Sequence, residues 1–342
     1  MYNHGILSSV SYDLPIICVG NLTVGGTGKT PHIEYLIRLL QKERYKVAVL
    51  SRGYKRKTNG FILASESSMA EEIGDEPYQI KQKFPDVYVA VDADRREGIC
   101  RLMENDETSD VDVILLDDAM QHRRVKAGLN IVLMDSNRPI YDDYLMPAGR
   151  LRENRSGLKR ADMVVVTKLK SDISKETEAY YSDKLSLEDG QTLHFSKFAY
   201  GRPRRIGGGT FSPLADEEIP YSQLADYRVL LVTGIANPGP LDAELSRWIE
   251  YPFIHFGDHH QFSSADYNQM NQLLSELPDD KPRILLTTEK DAARLDLSLV
   301  DSSVGVYVVP VSVEIMEDAP SEFDQKVLKF VSDSLEARNK NT

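Results

Sequence analysis

Short, continuously apolar runs recur along this chain, each stopping at Gly, Ser, Thr or Asp, with amphipathic or polar stretches between them. Runs at residues 16–20, 46–50, 87–91, 112–118, 129–135 and 161–168 fit strands buried on both faces. Such strands are the ones a parallel sheet uses, with unbroken apolar sequence in place of alternation. After the first run a helical pattern opens at Lys29-Thr30 and carries Ile33, Leu36 and Ile37 on one face. From 195 to 227 the pattern weakens into Gly, Pro and short alternating runs, which reads as a linker or small hairpin. A second set of strands then begins at 228–234, 251–256, 283–288 and 306–311, with a helical stretch at 241–248. Residues 336–342 are polar and are expected to fray.

The fold class that follows is α/β: a P-loop NTPase-like parallel sheet core with a second, smaller α/β domain. The core is placed at 1–194, the linker or hairpin at 195–227, the smaller domain at 228–335 and the tail at 336–342. A length of 342 residues supports the division, because single hydrophobic cores stop growing beyond roughly 250–300 residues.

The chemistry is densest where the first run meets the first helix. Strand, glycine-rich loop and helix follow in order, so Thr23, Val24, Gly25, Gly26, Thr27, Gly28, Lys29 and Thr30 are the candidate nucleotide-binding residues. Loop N–H groups and the helix N-terminus offer positive ends to phosphate, and Lys29 reaches the outer phosphates. The Thr30 hydroxyl is placed for magnesium. The usual pattern has glycine where this chain has Thr23, so Gly25 and Gly26 are expected to supply the positive-φ freedom. A glycine-rich turn before an ordinary helix is the plainer alternative, and the coincidence of strand, Gly-Lys-Thr and helix argues against it. The run at 112–118 ends in Asp117-Asp118, as strands that hold magnesium do in this class of fold. ATP and Mg2+ are the cofactors implied.

Other polar groups also sit just past strand ends, where open α/β sheets bind ligands. Ser51-Arg52-Gly53-Tyr54-Lys55-Arg56-Lys57 is a basic turn suited to phosphate, though a solvated loop fits its composition equally. Gly74-Asp75-Glu76-Pro77 suits either a helix start or a carboxylate that takes a proton from an attacking hydroxyl, and spacing does not choose. Gln121 and His122 lie beside the metal carboxylates and, with Arg52, are candidates for substrate binding. Arg150, Arg152 and Glu153 share a Pro/Gly-shaped loop, where arginines clamp planar anions. Thr167-Lys168 has the look of a guanine-reading motif, but Lys170 replaces its aspartate, which excludes guanine specificity. In Asp258-His259-His260, adjacent side chains in extended chain face opposite ways, and no Cys or spaced His completes a zinc set. A proton-handling or orienting histidine fits better.

Composition narrows the function classes. With 41 basic against 53 acidic residues the charge is -12, which argues against a general nucleic-acid binder. Cys18 and Cys100 are too few for a disulfide framework, as expected in a reducing compartment. No run approaches the ~18 apolar residues of a bilayer-spanning helix. The first residues also lack the basic start and apolar middle of a signal peptide, so a soluble or peripheral protein is expected.

In combination these motifs resemble the tetraacyldisaccharide 4'-kinases of lipid A biosynthesis. The resemblance is carried by residues 19–31, Ser51-Arg52-Gly53-Tyr54, Gly74-Asp75-Glu76-Pro77, Asp117-Asp118 with Gln121-His122, and Pro147-Ala148-Gly149 with Leu151-Arg152-Glu153. Thr233-Gly234-Ile235-Ala236-Asn237-Pro238, Asp258-His259 and Thr288-Glu289-Lys290-Asp291 complete it, in family order. The departures are Ala119-Met120 where the family tends to have Gly-Phe, and Arg150 and Asn154 where it often has proline. A membrane-associating N-terminal helix, common in the family, is expected to be missing or very short.

The resemblance implies transfer of the ATP γ-phosphate to the 4'-hydroxyl of a tetraacylated glucosamine disaccharide 1-phosphate. Asp75 would be the base, paired with His259, while Lys29 and Arg152 would stabilise the moving phosphoryl group. Thr30, Asp117, Asp118 and Glu153 would handle magnesium. The expected partners are the lipid substrate and, through the basic face of Arg52, Lys55, Arg56 and Lys57, the cytoplasmic surface of the inner membrane. No nucleic acid and no obligate protein partner are expected. A P-loop ATPase switch or assembly factor acting on a protein is the alternative; its nearest type carries lysine where this chain has Val24.

Overall fold

A computed structural model of the chain describes residues 8–170, 173–207, 218–258, 260–317 and 321–341. In chain order the elements are β1 (Ile16–Gly20), α1 (Lys29–Lys42), β2 (Val47–Ser51), β3 (Ile62–Leu63), α2 (Ala70–Ile73), α3 (Asp75–Lys83), β4 (Tyr88–Val91) and α4 (Arg95–Glu104). Then come β5 (Val113–Asp117), β6 (Leu129–Asp135), β7 (Met163–Thr167), α5 (Lys175–Leu185), β8 (Thr192–Tyr200), β9 (Arg204–Gly207), β10 (Arg228–Thr233) and α6 (Gly239–Leu245). The last are β11 (Phe253–His255), α7 (Ser264–Glu276), β12 (Arg283–Thr288), α8 (Glu289–Ala292), β13 (Gly305–Val309), β14 (Val311–Ile315) and α9 (Glu322–Asn341).

The chain divides into two compact units, Met1–Phe198 with Val313–Thr342, and Ala199–Ser312. The large sheet runs β14-β8-β7-β6-β1-β5-β2-β4-β3. Its central pairs are parallel, and β3 closes one edge antiparallel to β4. Side chains alternate across β1. Ile16 and Cys18 enter one apolar layer with Leu50, Ile114 and Val166, while Ile17 and Val19 enter the other with Ile33, Leu36 and Leu40 of α1. This two-sided burial is the reason the strands read as unbroken apolar runs. Because β1 lies between β5 and β6, the order of strands reverses there, and a crevice opens at its C-terminal end. The glycine-rich loop leaves β1 at that point.

The second unit holds a sheet ordered β11-β10-β12-β13-β9, parallel except for β9, which pairs antiparallel to β13. Its faces are covered by Tyr267, Met270 and Leu274 of α7 on one side and by Leu241 and Leu245 of α6 on the other.

Three expectations about organisation need correction. Residues 195–200 are no linker but part of β8, and 204–207 form β9; Gly208, Gly209 and Pro213 lie outside the described residues. The buried polar positions His194 and Ser196 break the apolar run of β8 and hide it from pattern reading. The smaller unit does not extend to 335, since the chain rejoins the first unit at Val313. Residues 336–341 continue α9, whose Phe323, Val327 and Val331 are buried in the first unit's core.

Glu317 anchors that helix. One carboxylate oxygen lies 2.5 Å from His194 Nδ1 and the other accepts from the Phe323 N–H at 3.1 Å. Burial pushes this carboxyl up, but those hydrogen bonds outweigh it and hold the group below the usual range. Glu317→Ala is expected to lose about 1–3 kcal/mol in urea unfolding at neutral pH, the cost of leaving buried donors unmatched. A carboxyl depressed in the folded state stabilises above its unfolded value, and that contribution fades as pH falls through the folded value. The gap between variant and wild type should therefore shrink toward pH 3.

Candidate active site

The loop after β1 takes its shape from two glycines. Gly25 (φ 108) and Gly28 (φ 90) occupy the left-handed region, whereas Gly26, expected to share that task with Gly25, does not. Gly28 is the turn into α1, and a Cβ there would come within 2.8 Å of the Phe198 ring. Thr23 needs no glycine freedom. It is buried and bridges antiparallel to Leu151, a strand-like conformation that threonine favours.

Struts from several strands hold the loop. Asn21 donates to Thr27 Oγ1 at 2.8 Å, and the Thr167 hydroxyl donates to the Thr27 carbonyl at 2.9 Å. Lys168 donates to the Gly26 carbonyl and, at 2.6 Å, to Asp135 at the end of β6. The Val24 N–H donates to the Arg150 carbonyl at 2.8 Å. His32, which burial pushes down to about 4 and so keeps neutral, lies 2.7 Å from the Gly28 carbonyl and 3.0 Å from Ser196 Oγ. Helix α1 has no side-chain cap at Gly28, so its first N–H groups face the loop's mouth as anion donors. Thr167 and Lys168 thus serve the phosphate loop rather than a base. Lys168→Met is expected to weaken ATP binding roughly 10-fold or more, the scale of one charge-assisted hydrogen bond, with little change in melting temperature. Calorimetric titration of both proteins checks this.

Beside the loop runs a chain of charges. Asp118, at φ 51, faces Lys29 at 3.7 Å and Arg152 at 2.8 Å. Burial alone would raise its carboxyl, yet the two cations hold it below the usual range. Arg152 also donates to the Thr23 carbonyl and to Gln121. Gln121 in turn donates to the Asn21 carbonyl and to Glu153, each at 2.9 Å. Both oxygens of Glu153 accept from Arg160 at 2.7 Å, so this carboxylate, expected to handle magnesium, already answers a protein cation.

Asp117 differs. It is 3% exposed, and its Oδ1 has no hydrogen-bond partner. Burial first, and then the nearby Glu76 charge, push it up to about 7. A buried carboxylate with an open oxygen is costly unless a cation completes it. An open carboxylate oxygen beside a phosphate loop fits Mg2+, which takes one or two carboxylates and completes its shell with phosphate oxygens and water. Of the adjacent pair, Asp117 is therefore the free acceptor and Asp118 the hub for Lys29 and Arg152.

On the other flank Asp75 is the first residue of α3, preceded by Gly74 at φ 96. A Cβ on Gly74 would lie 3.2 Å from the Tyr54 carbonyl, so the 52–54 turn packs against the start of α3. Burial, followed by the charges of Arg95 and Arg52, lowers the basicity of His122. Arg95, which the sequence pattern did not flag, is 1% exposed and donates to the carbonyls of Asp92 and Asp117. In the basic turn Arg56 donates to the Gly60 carbonyl, and Lys57 pairs with Glu71 while its side chain stays exposed. Arg52 and Lys55 remain exposed.

In the second unit, His260 stacks on Phe256 and pairs with Asp266 at 3.0 Å, while Asp258 meets Lys290 at 3.1 Å. His259 lies outside the described residues. Thr288 caps α8 through the Asp291 N–H, and Asp291 pairs with Arg294, another arginine that the sequence pattern passed over.

Comparison with known proteins covers nearly the whole chain. Residues 1–332 match the family described as Tetraacyldisaccharide-1-P 4'-kinase. A relative from Parabacteroides distasonis named Tetraacyldisaccharide 4'-kinase is 45% identical over 335 residues, covering 97% of this chain and 89% of the relative. One of the same name from Flavobacterium johnsoniae is 44% identical over 336 residues, covering 98% and 93%. Among solved structures, the "apo" form of LpxK from Aquifex aeolicus in complex with ATP superposes with a TM-score of 0.70. It is 28% identical in sequence, with 96% of this chain and 92% of that one covered.

Proposed function

This chain belongs to the tetraacyldisaccharide-1-P 4'-kinase family, and we propose that it transfers the γ-phosphoryl group of ATP to the 4'-hydroxyl of a tetraacylated glucosamine disaccharide 1-phosphate. The observation that carries this reading is the juxtaposition of the phosphate loop with Lys29 and Arg152 on Asp118 and with the open oxygen of Asp117.

In this reading the N–H groups of Gly25, Gly26, Gly28, Lys29 and Thr30 hold the triphosphate, with the loop kept rigid by Thr167, Lys168 and Asn21. Asp117, with the Thr30 hydroxyl, would hold Mg2+, which when bound neutralises charge on the β- and γ-phosphates. Asp118 presents Lys29 and Arg152 to the phosphoryl group in flight. Glu153 orients Gln121 and is itself fixed by Arg160. Arg52 and His122 contact the substrate. Asp75 takes the proton of the 4'-hydroxyl as its oxygen bonds to the γ-phosphorus. The bond to the bridging oxygen breaks and ADP leaves. Positioning and charge stabilisation are the main catalytic terms in such transfers. The lipid substrate places the enzyme at the cytoplasmic face of the inner membrane as a peripheral protein.

The test is incubation of the purified protein with γ-labelled ATP, Mg2+ and detergent-dispersed lipid disaccharide phosphate. Label should appear in the lipid. Label released only as inorganic phosphate, whether or not lipid is present, would overturn the reading.

A further inference from the structure

A loop beside the phosphate site exposes an apolar surface that the chemistry above leaves unused. Tyr144, Leu145, Met146, Pro147 and Ala148 are consecutive and all exposed, Tyr144 to 71%, Leu145 to 45% and Met146 to 56%. These side chains do not sit outward because the backbone is loose. The Leu151 N–H donates to the Tyr144 carbonyl at 2.9 Å, the Met146 N–H to the Leu151 carbonyl at 3.0 Å and the Gly149 N–H to the Leu145 carbonyl at 3.1 Å. Asp143 ties the base of the loop by accepting from the N–H groups of Tyr144 and Arg150. A Cβ at Gly149 would fall 2.3 Å from the Tyr144 carbonyl, so glycine is required for the loop to close.

The surroundings specify the partner. Arg138, Arg150 and Arg155 are exposed along the loop and its flanks, against which Asp142 and Asp143 set two opposing charges. This is a local cationic rim on a chain of net charge -12. Arginines around an exposed Tyr-Leu-Met tip match an anionic lipid surface: head-group phosphates for the guanidinium groups, and the boundary of the acyl region for the apolar side chains. The loop also joins the phosphate site directly. Leu151 bridges to Thr23, Arg150 accepts from Val24, and the Arg152 N–H donates to the Leu22 carbonyl at 2.8 Å. A surface gripped by this loop therefore borders the phosphate loop itself.

We propose that the 143–151 loop is the element that docks the enzyme on an anionic bilayer, with Tyr144, Leu145 and Met146 entering the interface and Arg138, Arg150 and Arg155 pairing with lipid phosphates. The proposal rests on the lipid-kinase reading for its choice of a membrane as partner. Among the described residues no helix is long and apolar enough to cross a membrane, so docking of this kind is an interfacial contact.

The experiment compares the full chain with Tyr144→Ser/Leu145→Ser by sedimentation with vesicles of phosphatidylethanolamine and phosphatidylglycerol, and with neutral phosphatidylcholine vesicles. Wild type should bind the anionic vesicles, more weakly at 0.5 M salt. The double variant should bind at least 10-fold more weakly, with the same melting temperature and unchanged turnover of detergent-dispersed substrate. Equal vesicle binding by both proteins would overturn the proposal. So would unchanged vesicle binding with a raised KM for dispersed lipid, because the loop would then hold the substrate's acyl chains. A wild type that phosphorylates dispersed lipid but ignores vesicles defeats docking alone. One that binds vesicles yet transfers no phosphate defeats the kinase reading alone.

Discussion

Asp75→Ala is expected to lower lipid phosphorylation by about 10²–10⁴-fold, the range for loss of a positioned general base, while ATP affinity changes little. The separation of effects follows from geometry. The phosphate loop is held by Asn21, Thr167, Lys168 and Arg152, and Asp75 belongs to none of these contacts. It stands instead at the start of α3, where Gly74 packs on the 53–54 backbone. Asp75→Asn keeps shape and volume but cannot accept the proton, so it should fall almost as far as alanine. Calorimetry with ATP and single-turnover transfer from labelled ATP separate binding from chemistry. A variant that keeps a tenth of wild-type transfer would remove Asp75 from the base role, and an equal loss of ATP affinity would make it structural.

Arg294→Ala should destabilise the second unit by about 3–5 kcal/mol, the cost of stripping one partner from a buried ion pair. Arg294 and Asp291 are 1% and 0% exposed in their side chains and lie 2.5 Å apart. The same guanidinium donates to the His260 carbonyl at 3.1 Å and the Gly234 carbonyl at 3.4 Å. It therefore ties the end of β10 and the turn after β11 to α8. Removing it leaves the buried Asp291 carboxylate with the Thr288 hydroxyl as its donor. Replacing both partners with apolar residues of similar volume should recover much of the loss, since no charge is then left buried. Hydrogen exchange of the β10 and β12 amides, with urea unfolding of both variants, reads the effect. A single variant as stable as wild type would show that water reaches Asp291. The comparison matters for Thr288-Glu289-Lys290-Asp291, which lies where function is expected. Its Thr288 and Asp291 are occupied in capping and burying this turn.

The strands that place the site were legible because each is buried on both faces and therefore uninterrupted in sequence. β1, β2, β4, β5, β6 and β7 all appear where apolar runs predict them. The phosphate loop was legible for a related reason: Gly-Lys-Thr between a strand and a helix is a local pattern with a local purpose. β8 was not, because His194 and Ser196 are buried polar groups whose partners, Glu317 and His32, are distant in sequence. Helix α9 belongs to the first unit for the same kind of reason. Nothing within 322–341 says which of two sheets its Phe323, Val327 and Val331 will cover.

Within the site the same division holds. The candidate residues for phosphate and magnesium were named by residue type and position, and so was the family that the comparisons place the chain in. Gly25 and Gly28, rather than Gly25 and Gly26, bend the loop because the turn into α1 is set by packing on Phe198. Asp117 and Asp118 are identical in type and adjacent in sequence. Only the fold separates them, turning one to Lys29 and Arg152 and leaving an oxygen of the other buried and open. The sequence by itself determined the strand set, the phosphate loop and the class of chemistry, because apolar period and glycine freedom act over a few residues. The tertiary structure alone decided which carboxylate pairs with protein cations, which lysine braces the loop and which apolar residues stay in water, because charge pairing and burial depend on neighbours that folding brings from far along the chain.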